Sequence, residues 1–467
     1  MLKANPYLQS AFLSSPKHFK NVQATIYSIL MAQKKYGNEY KKWRSFLDES
    51  DWWPTDRIAE FQAASIKAII SSSLNNSRFY SNFPIYKILL DSNDILADIR
   101  KLPIINKRIV LDNYENIIAK HSIYSKKYHR FTSSGTTGTS LVVAMNSECY
   151  QREYAFRWKY FSIAGAAKSN RFAFFLGNRL FPANQSHPPY SIIDYYQKGI
   201  FFSIFHLSSE TISDYVKTFN SFNADYVRGY PSALYAFVQL AKSKNLSVKC
   251  IKAVFSGSEV LHPYQKEAIQ EVFQAPIYQW YGQVETTVNI HECDSHRLHI
   301  KEEYGLLEII NDQGCDAAPG EIGSAIGTGW GNVAFPLIRY DTGDNMILSH
   351  EKSCPCGRAG RIIEKILGRD EDVVMTPEGR YVGRLDFIFK PITTVQEAQI
   401  IQETINKIVI RVVPLTNYTI KDREKIISII KQYLGTSIKY AIEEVPSLER
   451  TKAGKVKYVI SNIQNAI

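Results

Sequence analysis

The sequence predicts an α/β protein with a large, multi-layer N-terminal α/β domain and a small α+β C-terminal domain. Three observations predict this fold. The 467 residues are enough for one large and one small domain. Between Arg171 and Trp280, short apolar runs alternate with helical patterns, as in sheets that are at least partly parallel. From Tyr304 to about Leu348 strands dominate, which indicates a β-subdomain.

The residues before about Lys101 are predicted to be helical. Apolar residues recur near helical spacing at Ile26, Ile29 and Leu30, and a second apolar stripe runs from residue 58 to 74. Buried strands are then predicted over residues 172–176, 226–228, 253–255 and 277–280. They alternate with helices, two of which open with proline as a first turn allows, over residues 212–222, 231–243 and 263–273.

The β-subdomain is predicted to contain strands at 305–310, 323–327 and 335–340, separated by glycine-rich turns. Past Gly368 a compact unit follows, with a strand, a helix that ends at Gly435 and a second strand, over residues 408–413, 426–434 and 438–442. We place the boundary at residues 368–372. The N-terminal domain is therefore expected over 1–367 and the C-terminal domain over 368–467.

Composition excludes several classes of protein. No apolar run reaches the length of a membrane span, so integral membrane contact is not expected. Six cysteines in a chain of this length do not form a disulfide scaffold, and no signal peptide is recognisable. A cytoplasmic protein is expected. The formal charge of +11 suits anionic small ligands, because no nucleic-acid-binding module with its aromatic and basic signature is present.

The loop between Phe131 and Leu141 is the most informative segment of the chain. It reads Thr-Ser-Ser-Gly-Thr-Thr-Gly-Thr-Ser and contains no acidic residue. Glycines let backbone N–H groups approach an anion, and the hydroxyls add donors, so the loop is suited to phosphate. It is not a Walker P-loop, because no Gly-Lys-Ser/Thr closes it. A solvated linker is the alternative interpretation.

Five further segments follow this loop in a fixed order. They are Ser256-Gly257-Ser258-Glu259, Tyr281-Gly282-Gln283-Val284-Glu285-Thr286-Thr287, Arg339-Tyr340-Asp341-Thr342-Gly343-Asp344, Gly368-Arg369-Asp370-Glu371-Asp372 and Arg450-Thr451-Lys452-Ala453-Gly454-Lys455. The series resembles the AMP-forming adenylating enzymes, the acyl-CoA synthetase superfamily. Within it the chain is similar to the phenylacetate–CoA ligase branch, and especially to the CapK-type proteins encoded with bacterial polysaccharide genes. The resemblance runs from about Pro103 to the C-terminus.

The resemblance implies a binding site for ATP. The phosphates would contact the loop residues Ser133, Ser134, Gly135, Thr136, Thr137, Gly138 and Thr139. The adenine would lie against Ser256, Gly257, Ser258, Glu259, Tyr281, Gly282 and Gln283. The ring of Tyr281 would stack on the base, and Asp344 would accept hydrogen bonds from the ribose hydroxyls. Taken alone, Tyr281 is as well explained as a core aromatic and Asp344 as part of an Asx turn.

Three residues carry the catalytic roles that the resemblance implies. Glu285 would ligate Mg²⁺, which prefers a carboxylate together with phosphate oxygens. Arg369 would approach the phosphates, and Lys455 would bridge the substrate carboxylate and the α-phosphate. The C-terminal domain would swing about residues 368–372 and withdraw Lys455 for a second step. Val284 stands where the family usually has threonine, and Thr139-Ser140 where many members have lysine.

A structural zinc site is also expected, from Cys293, His299, Cys354 and Cys356. Three thiolates and one imidazole satisfy tetrahedral zinc, and the Cys354–Cys356 pair resembles one seen in this branch. His296 competes with His299 for the fourth position. The alternative is that these cysteines are buried separately.

The leading hypothesis is an ATP-dependent, AMP-forming acid–thiol ligase that activates a small carboxylic acid and passes it to coenzyme A. The alternative keeps adenylation but transfers to a sugar amine, a hydroxyl or a carrier in surface-polysaccharide synthesis. A non-catalytic nucleotide-binding protein is a third hypothesis. The acid pocket is expected near Trp158, Phe161, Tyr230, Pro231 and residues 279–282, with no charged residue that would select the acid.

Overall fold

The computed structural model describes most of the chain. The described residues are 12–13, 15–120, 128–132, 141–182, 185–368, 374–378, 381–382, 385–389, 392, 394–415, 417–449 and 459–463. In this part of the chain, no helix combines the length and the apolar character needed to cross a membrane.

The N-terminal region is helical, as predicted. Its helices are α1 (Lys17–Lys35), α2 (Asn38–Ser50), α3 (Thr55–Asn76), α4 (Arg78–Ser81), α5 (Pro84–Leu90), α6 (Ile95–Asp98), α7 (Lys107–Asp112) and α8 (Tyr114–Ile117). In α3 the apolar stripe is buried through Ile66, Ile69 and Ile70. In α1, however, Ile26 and Leu30 are exposed, and the buried face carries mostly small and polar side chains.

A twelve-stranded sheet forms the centre of the molecule. The elements up to its middle are β1 (His129–Thr132), β2 (Val142–Met145), α9 (Ser147–Ser162), β3 (Phe172–Leu176), β4 (Ser191–Asp194), β5 (Gly199–Ser203), α10 (Ile212–Phe222), β6 (Tyr226–Gly229), α11 (Pro231–Ser243), β7 (Ala253–Gly257), α12 (Pro263–Phe273) and β8 (Ile277–Gly282). The strands that follow are β9 (Asn289–Glu292), β10 (Leu298–Ile300), β11 (Gly305–Ile310), β12 (Ile322–Gly329), β13 (Leu337–Leu348) and β14 (Ile362–Gly368).

The sheet has a parallel half and an antiparallel half. Its strand order is β11-β12-β13-β14-β10-β9-β8-β7-β6-β3-β5-β4. The neighbours from β5 through β3, β6 and β7 to β8 are parallel, and the remaining pairs are antiparallel. This arrangement confirms the predicted fold class, with a β-subdomain beside an α/β layer.

Alternate residues of the parallel strands pack into different layers, because successive side chains of a strand point to opposite faces. One face, through Val227, Val254 and Ile277, packs against α10, α11 and α12. The other face, through Tyr226 and Phe255, packs against α9. Arg228 follows Tyr226 by two residues and therefore shares the face that α9 covers.

The C-terminal residues form a second, smaller sheet. Its elements, after the short β15 (Val374–Met375) and β16 (Tyr381–Val382), are β17 (Val395–Thr404), β18 (Lys407–Pro414), α13 (Ile420–Leu434), β19 (Lys439–Glu444) and β20 (Val459–Ser461). The strand order is β19-β18-β17-β20. Ile426, Ile430 and Leu434 of α13 pack onto this sheet, so the unit has an apolar core of its own.

Candidate active site

Two of the predicted segments meet at the carboxyl ends of neighbouring parallel strands. Ser256 and Gly257 end β7, and Tyr281 and Gly282 end β8, where an α/β sheet presents its ligand groups. The strands lie so close that a Cβ on Gly257 would stand 2.8 Å from the Trp280 carbonyl oxygen. The next residue, Ser258, has a positive φ of 71°, so the chain turns sharply away from the sheet.

The structure brings the adenine and ribose candidates together. The Tyr281 hydroxyl donates a hydrogen bond of 2.7 Å to Oδ2 of Asp344, although 63 residues separate them. The Tyr281 ring also packs against the core of the β-subdomain. Both interpretations of Tyr281 therefore have a structural basis.

Asp344 lies within a strand, and the turn chemistry considered above is present in the same segment. The Gly343 amide donates to Asp341 Oδ1 at 2.8 Å, and the Asp344 amide donates to Thr342 Oγ1 at 3.2 Å. The predicted strand 335–340 continues as β13 to Leu348. Its register against β12 shifts where Ser324 and Ile326 face Asn345 and Asp341. Two extra residues on β13 form a bulge, and bulges re-aim side chains at the rims of sheets. Asp344, which accepts the hydrogen bond from Tyr281, lies within this bulge.

Three other motif residues, Glu285, Gln283 and Glu259, form hydrogen bonds within the protein. Oε1 of Glu285 accepts from the Tyr340 hydroxyl at 3.5 Å. Gln283 donates to Thr287 Oγ1 at 2.7 Å and accepts from the Val288 amide. Gln283 therefore stabilises the turn formed by residues 283–288. Oε2 of Glu259 accepts from the Ser232 amide at 3.0 Å in the first turn of α11, a helix-capping contact.

Several predicted residues lie outside the described residues: Ser133, Ser134, Gly135, Thr136, Thr137, Gly138 and Thr139 of the loop, Arg369 and Lys455. The flanks of the loop are described. β1 and β2 pair antiparallel up to Thr132 and Val142. Phe131 of β1 and Met145 of β2 line the cavity described next, so the strands on both sides of the loop reach the wall of this cavity.

A cavity of about 260 Å³ opens between α9 and the ends of the parallel strands. It is lined by Phe131, Met145, Tyr150, Glu153, Tyr154, Arg157, Tyr160, Leu176, Arg228, Gly229, Phe255, Ser256, Gly257, Ser258, Trp280, Gly282, Gln283 and Val284. Trp280 and Gly282 were expected there. Trp158 and Phe161 lie instead in the apolar layer between α9 and the sheet.

The cavity contains two charged residues that the sequence did not reveal as selectors, Arg157 of α9 and Arg228 of β6. Both guanidinium groups lie over the Trp280 ring, at 5.4 and 5.5 Å from its centroid. Burial and the charge of Arg157 lower the pKa of Arg228 to about 9. The sequence did contain a signal for Arg228: it is an ionisable residue within a strand that was predicted to be buried, and such residues are rare unless they have a role.

A phenol beside these arginines is also perturbed. Burial raises the pKa of Tyr154, but the nearby cations of Arg157 and Lys35 outweigh burial and lower it to about 8. Arg157 lies over this ring as well, 4.6 Å from its centroid. The cations beside Tyr154 therefore stabilise negative charge at this wall of the cavity.

The four expected zinc ligands lie together. The ligand atoms of Cys293, His299, Cys354 and Cys356 are all within 4.8 Å of one another. Cys293 Sγ and Cys354 Sγ are 3.6 Å apart, and Cys356 Sγ and His299 Nε2 are 3.5 Å apart. Sulfurs bound to one tetrahedral zinc at 2.3 Å would be about 3.8 Å apart, so the set fits this ion.

The surroundings of the cluster also suit a metal. His299 Nδ1 lies 2.9 Å from the Ala359 carbonyl oxygen, which leaves Nε2 facing the thiols. Backbone amides of Arg297 and Arg358 donate to Cys293 and Cys356. His296 is 42% exposed and pairs with Glu292, so it lies outside the cluster.

The chain is similar to known proteins both in sequence and in fold. Residues 374–462 match the family model of the CapK C-terminal domain. The chain is 24% identical to Protein CapK of Staphylococcus aureus over 458 residues, 96% of this chain and 98% of that protein. The chain is therefore similar to this protein over nearly its whole length. It is also 22% identical to phenylacetate-coenzyme A ligase of Thermus thermophilus over 345 residues, 71% of this chain and 74% of that protein.

Solved structures agree on the fold. A 2-hydroxyisobutyryl-CoA ligase in complex with 2-HIB-AMP and CoA matches with a TM-score of 0.57 at 16% identity, covering 89% of this chain and 91% of that one. The same ligase in the postadenylation state matches with a TM-score of 0.56 at 14% identity, covering 89% and 92%. Together with the similarity to Protein CapK and phenylacetate-coenzyme A ligase, these findings confirm the resemblance of this chain to the AMP-forming adenylating enzymes.

Proposed function

We propose that this protein is an AMP-forming ligase that joins a small carboxylic acid to the α-phosphate of ATP and passes the acyl group to coenzyme A. The observation that carries the proposal is the convergence of separate segments on one cavity. The ends of β7 and β8 and the strands on both sides of the hydroxyl-rich loop line it. The Tyr281–Asp344 contact lies beside the end of β8.

Adenylation suits such a site because both reactants are anions. The substrate is already a carboxylate at neutral pH, so no general base is required. Catalysis consists of positioning and of positive charge where negative charge develops. In this proposal Mg²⁺ at Glu285, the loop 133–139, Arg369 and Lys455 supply that charge, while Tyr281 and Asp344 hold the nucleoside.

The second step would follow from the separate C-terminal unit. We propose that residues 368–467 move about residues 368–372, withdraw Lys455 and admit the thiol, since a few backbone positions suffice for a hinge. The contact of this unit with the N-terminal region includes Tyr433 of α13, whose ring lies 5.1 Å from that of Phe205. An aromatic contact of this kind can be broken and remade during turnover.

We also propose that zinc occupies the Cys293–His299–Cys354–Cys356 set. The site offers four protein ligands and leaves no open position, so it holds structure and takes no part in the reaction. The geometry of the four ligand atoms supports this ion over separately buried thiols.

Pyrophosphate release tests the proposed function. The purified protein should release pyrophosphate from ATP and Mg²⁺ with one or more members of a panel of aryl, short aliphatic and amino acids. Mass spectrometry should then detect an acyl-CoA when coenzyme A is added. Absence of acid-dependent pyrophosphate release across the panel would contradict adenylation.

The alternative acceptor is favoured by one observation, the similarity to Protein CapK over 96% of this chain. In that case a stable acyl-adenylate would form, ignore coenzyme A and react with an amino sugar, a sugar hydroxyl or a carrier. The same mass-spectrometric assay, with an amino sugar in place of coenzyme A, decides between the two acceptors. A non-catalytic nucleotide-binding role is disfavoured because Glu285, Asp344 and Lys455 are all present.

A further inference from the structure

The two arginines of the cavity have no anionic partner in the described part of the chain. Neither Arg157 nor Arg228 forms an ion pair or a hydrogen bond there, and Nε of Arg157 is buried without an acceptor. Both guanidinium groups lie over aromatic rings instead: Arg157 over Tyr154 and Trp280, and Arg228 over Phe161 and Trp280. The adjacent loop, residues 133–140, contains no acidic residue in its sequence.

The nearest acidic side chain does not neutralise this pair. Glu153 accepts a hydrogen bond of 2.6 Å from the Tyr304 hydroxyl, and it lies near a third cation, Arg152. Burial raises the pKa of Glu153 despite Arg152 and Arg157, so its negative charge is itself disfavoured. Glu153 interacts with Arg152 and Arg157 and not with Arg228, so this one carboxylate leaves an excess of positive charge.

The two arginines share the cavity with several nucleotide candidates, but the backbone of Arg228 lies deeper in the sheet than Tyr281. In the register of the sheet, Arg228 is opposite Phe255, and Phe255 is opposite Tyr278. The backbone of Arg228 is therefore two strands from β8, about 10 Å, and about three residues, another 10 Å, deeper than Tyr281. Its guanidinium group nevertheless extends to 5.5 Å from the Trp280 ring of β8. If the carboxylate of the substrate acid reacts near the end of β8, Arg157 and Arg228 remain available to bind a second group at the opposite end of that acid.

Ser256 adds a polar group to the same wall. It is 3% exposed, lines the cavity, and its Oγ has no hydrogen-bond partner among the described residues. A buried hydroxyl without a partner is costly unless a ligand supplies one. The aromatic rings of Tyr150, Tyr154 and Trp280 also line the cavity.

We propose, on the basis of the adenylation function above, that the acid is a small dicarboxylic acid whose second carboxylate binds Arg157 and Arg228. Guanidinium groups present forked donors that match a carboxylate. The cavity volume of about 260 Å³ limits the substrate to a short chain. A monocarboxylic acid of the same length would leave both arginines without an anion.

Matched pairs of acids test this specificity. Pyrophosphate release is measured with succinate against butyrate and with glutarate against valerate, which are equal in chain length. A charged hydrogen-bonding pair is worth about 1.5–3 kcal/mol, so kcat/KM for the better diacid should exceed that of its monoacid about 10- to 100-fold. Equal rates within both pairs would overturn the inference and leave adenylation standing.

Variants assign the effect to the arginines. Arg228→Gln and Arg157→Gln should each raise KM for the diacid at least about tenfold, change KM for ATP little, and leave the monoacid nearly unaffected. Arg171→Gln is the matched control, because Arg171 also lies over an aromatic ring, that of Phe222, but is exposed outside the cavity. A raised KM for ATP with an unchanged KM for the acid would show that the arginines bind nucleotide, which overturns the inference.

Melting temperature provides a readout that does not need turnover. Glutarate or succinate should raise it more than valerate or butyrate, and Arg228→Gln should abolish the difference. Arg228→Lys retains the charge and substitutes if the glutamine variant does not fold. If no acid releases pyrophosphate, the proposed function fails. Diacid-specific stabilisation that depends on Arg228 then still supports the inference, and equal stabilisation by both acids overturns it.

Discussion

At the scale of single residues, the Tyr281–Asp344 contact separates a binding role from a packing role. If Asp344 holds the ribose, Asp344→Asn should raise KM for ATP about 10- to 100-fold, because a charged acceptor is lost. Tyr281→Phe keeps the ring and removes one hydrogen bond of about 1 kcal/mol, so the increase should be about fivefold. Initial rates of pyrophosphate release at varied ATP measure both.

The exposed Asp312→Asn serves as the control for this experiment, since it changes the same charge in a turn away from the cavity. Unchanged ATP kinetics in Asp344→Asn, with normal folding, would assign the Tyr281–Asp344 contact to structure alone.

A second residue-scale prediction concerns stability. Asp51 is 4% exposed and pairs with Lys301 at 2.5 Å and with Lys159 at 2.9 Å. Asp51→Asn leaves these cations without their shared anion and should lower the free energy of unfolding by about 3 kcal/mol near neutral pH. Asp48→Asn is the matched control, because Asp48 also pairs with Lys159 but is 58% exposed, and it should cost less than about 1 kcal/mol.

The contribution of Asp51 should depend on pH in a defined direction. Burial raises its pKa, but Lys301 and Lys159 outweigh burial, and the pKa in the folded protein lies well below its ordinary value of 3.8. The stabilisation is therefore complete above that value and is lost as the pH falls below it. Denaturant titrations should show the gap between the parent and Asp51→Asn shrinking below about pH 4; a gap that grows there would contradict the pairing.

At the scale of elements, the proposed zinc ion would join the β9–β10 connection to the β13–β14 connection. Cys293 and His299 flank the turn between β9 and β10, while Cys354 and Cys356 lie between β13 and β14. Binding energy at a structural site is folding energy, so a chelator should lower the melting temperature before it affects turnover. Elemental analysis should find about one zinc per chain.

Variants in the same region locate the ligands. Cys356→Ser and His299→Ala should lose zinc and lower the melting temperature. His296→Ala and the exposed Cys315→Ser should retain the metal, because neither side chain belongs to the cluster. Zinc-free protein whose melting is indifferent to chelator would refute the site.

The elements also show how far the sequence determines the fold. α10, α11 and α12 have the predicted bounds, because amphipathic spacing and the N-terminal Pro231 and Pro263 mark them locally. β13 runs eight residues past its predicted end, because pairing with β12 and β14 extends it through turn-like residues. In α1, periodicity indicated a helix but not which face the rest of the protein covers.

The candidate site, like the fold, was predictable where a local sequence pattern marks it and not where residues meet only through tertiary packing. Ordered motifs indicated Tyr281 and Asp344, and turn chemistry in Asp341–Asp344 marked the bulge, but no local pattern indicated that the two side chains meet. Arg157 and Arg228 belong to no motif, and only strand parity and the position of α9 bring them into one cavity. Residues that act through long-range packing are the ones that sequence reasoning misses.

At the scale of the whole molecule, the proposed two-step reaction assigns separate roles to separate conformations. The C-terminal unit contacts the N-terminal region through Arg179, which donates to Gln432 at 3.2 Å and lies over the Tyr433 ring. In the adenylating arrangement, Lys455 must reach the acid and the α-phosphate; in the transfer arrangement it must leave. A single side chain is then essential for one half-reaction and dispensable for the other.

Lys455→Ala tests that division. Loss of a positioned cation in a closed site costs about 3 kcal/mol or more in the transition state, so acyl-adenylate formation should fall by at least about 100-fold. Transfer to coenzyme A from chemically supplied acyl-adenylate should persist, because Lys455 is withdrawn in that step. Lys452→Ala, three residues away, is the control and should preserve both half-reactions. Near-normal adenylation in Lys455→Ala, or equal loss of both half-reactions in a folded protein, would exclude the proposed exchange of conformations.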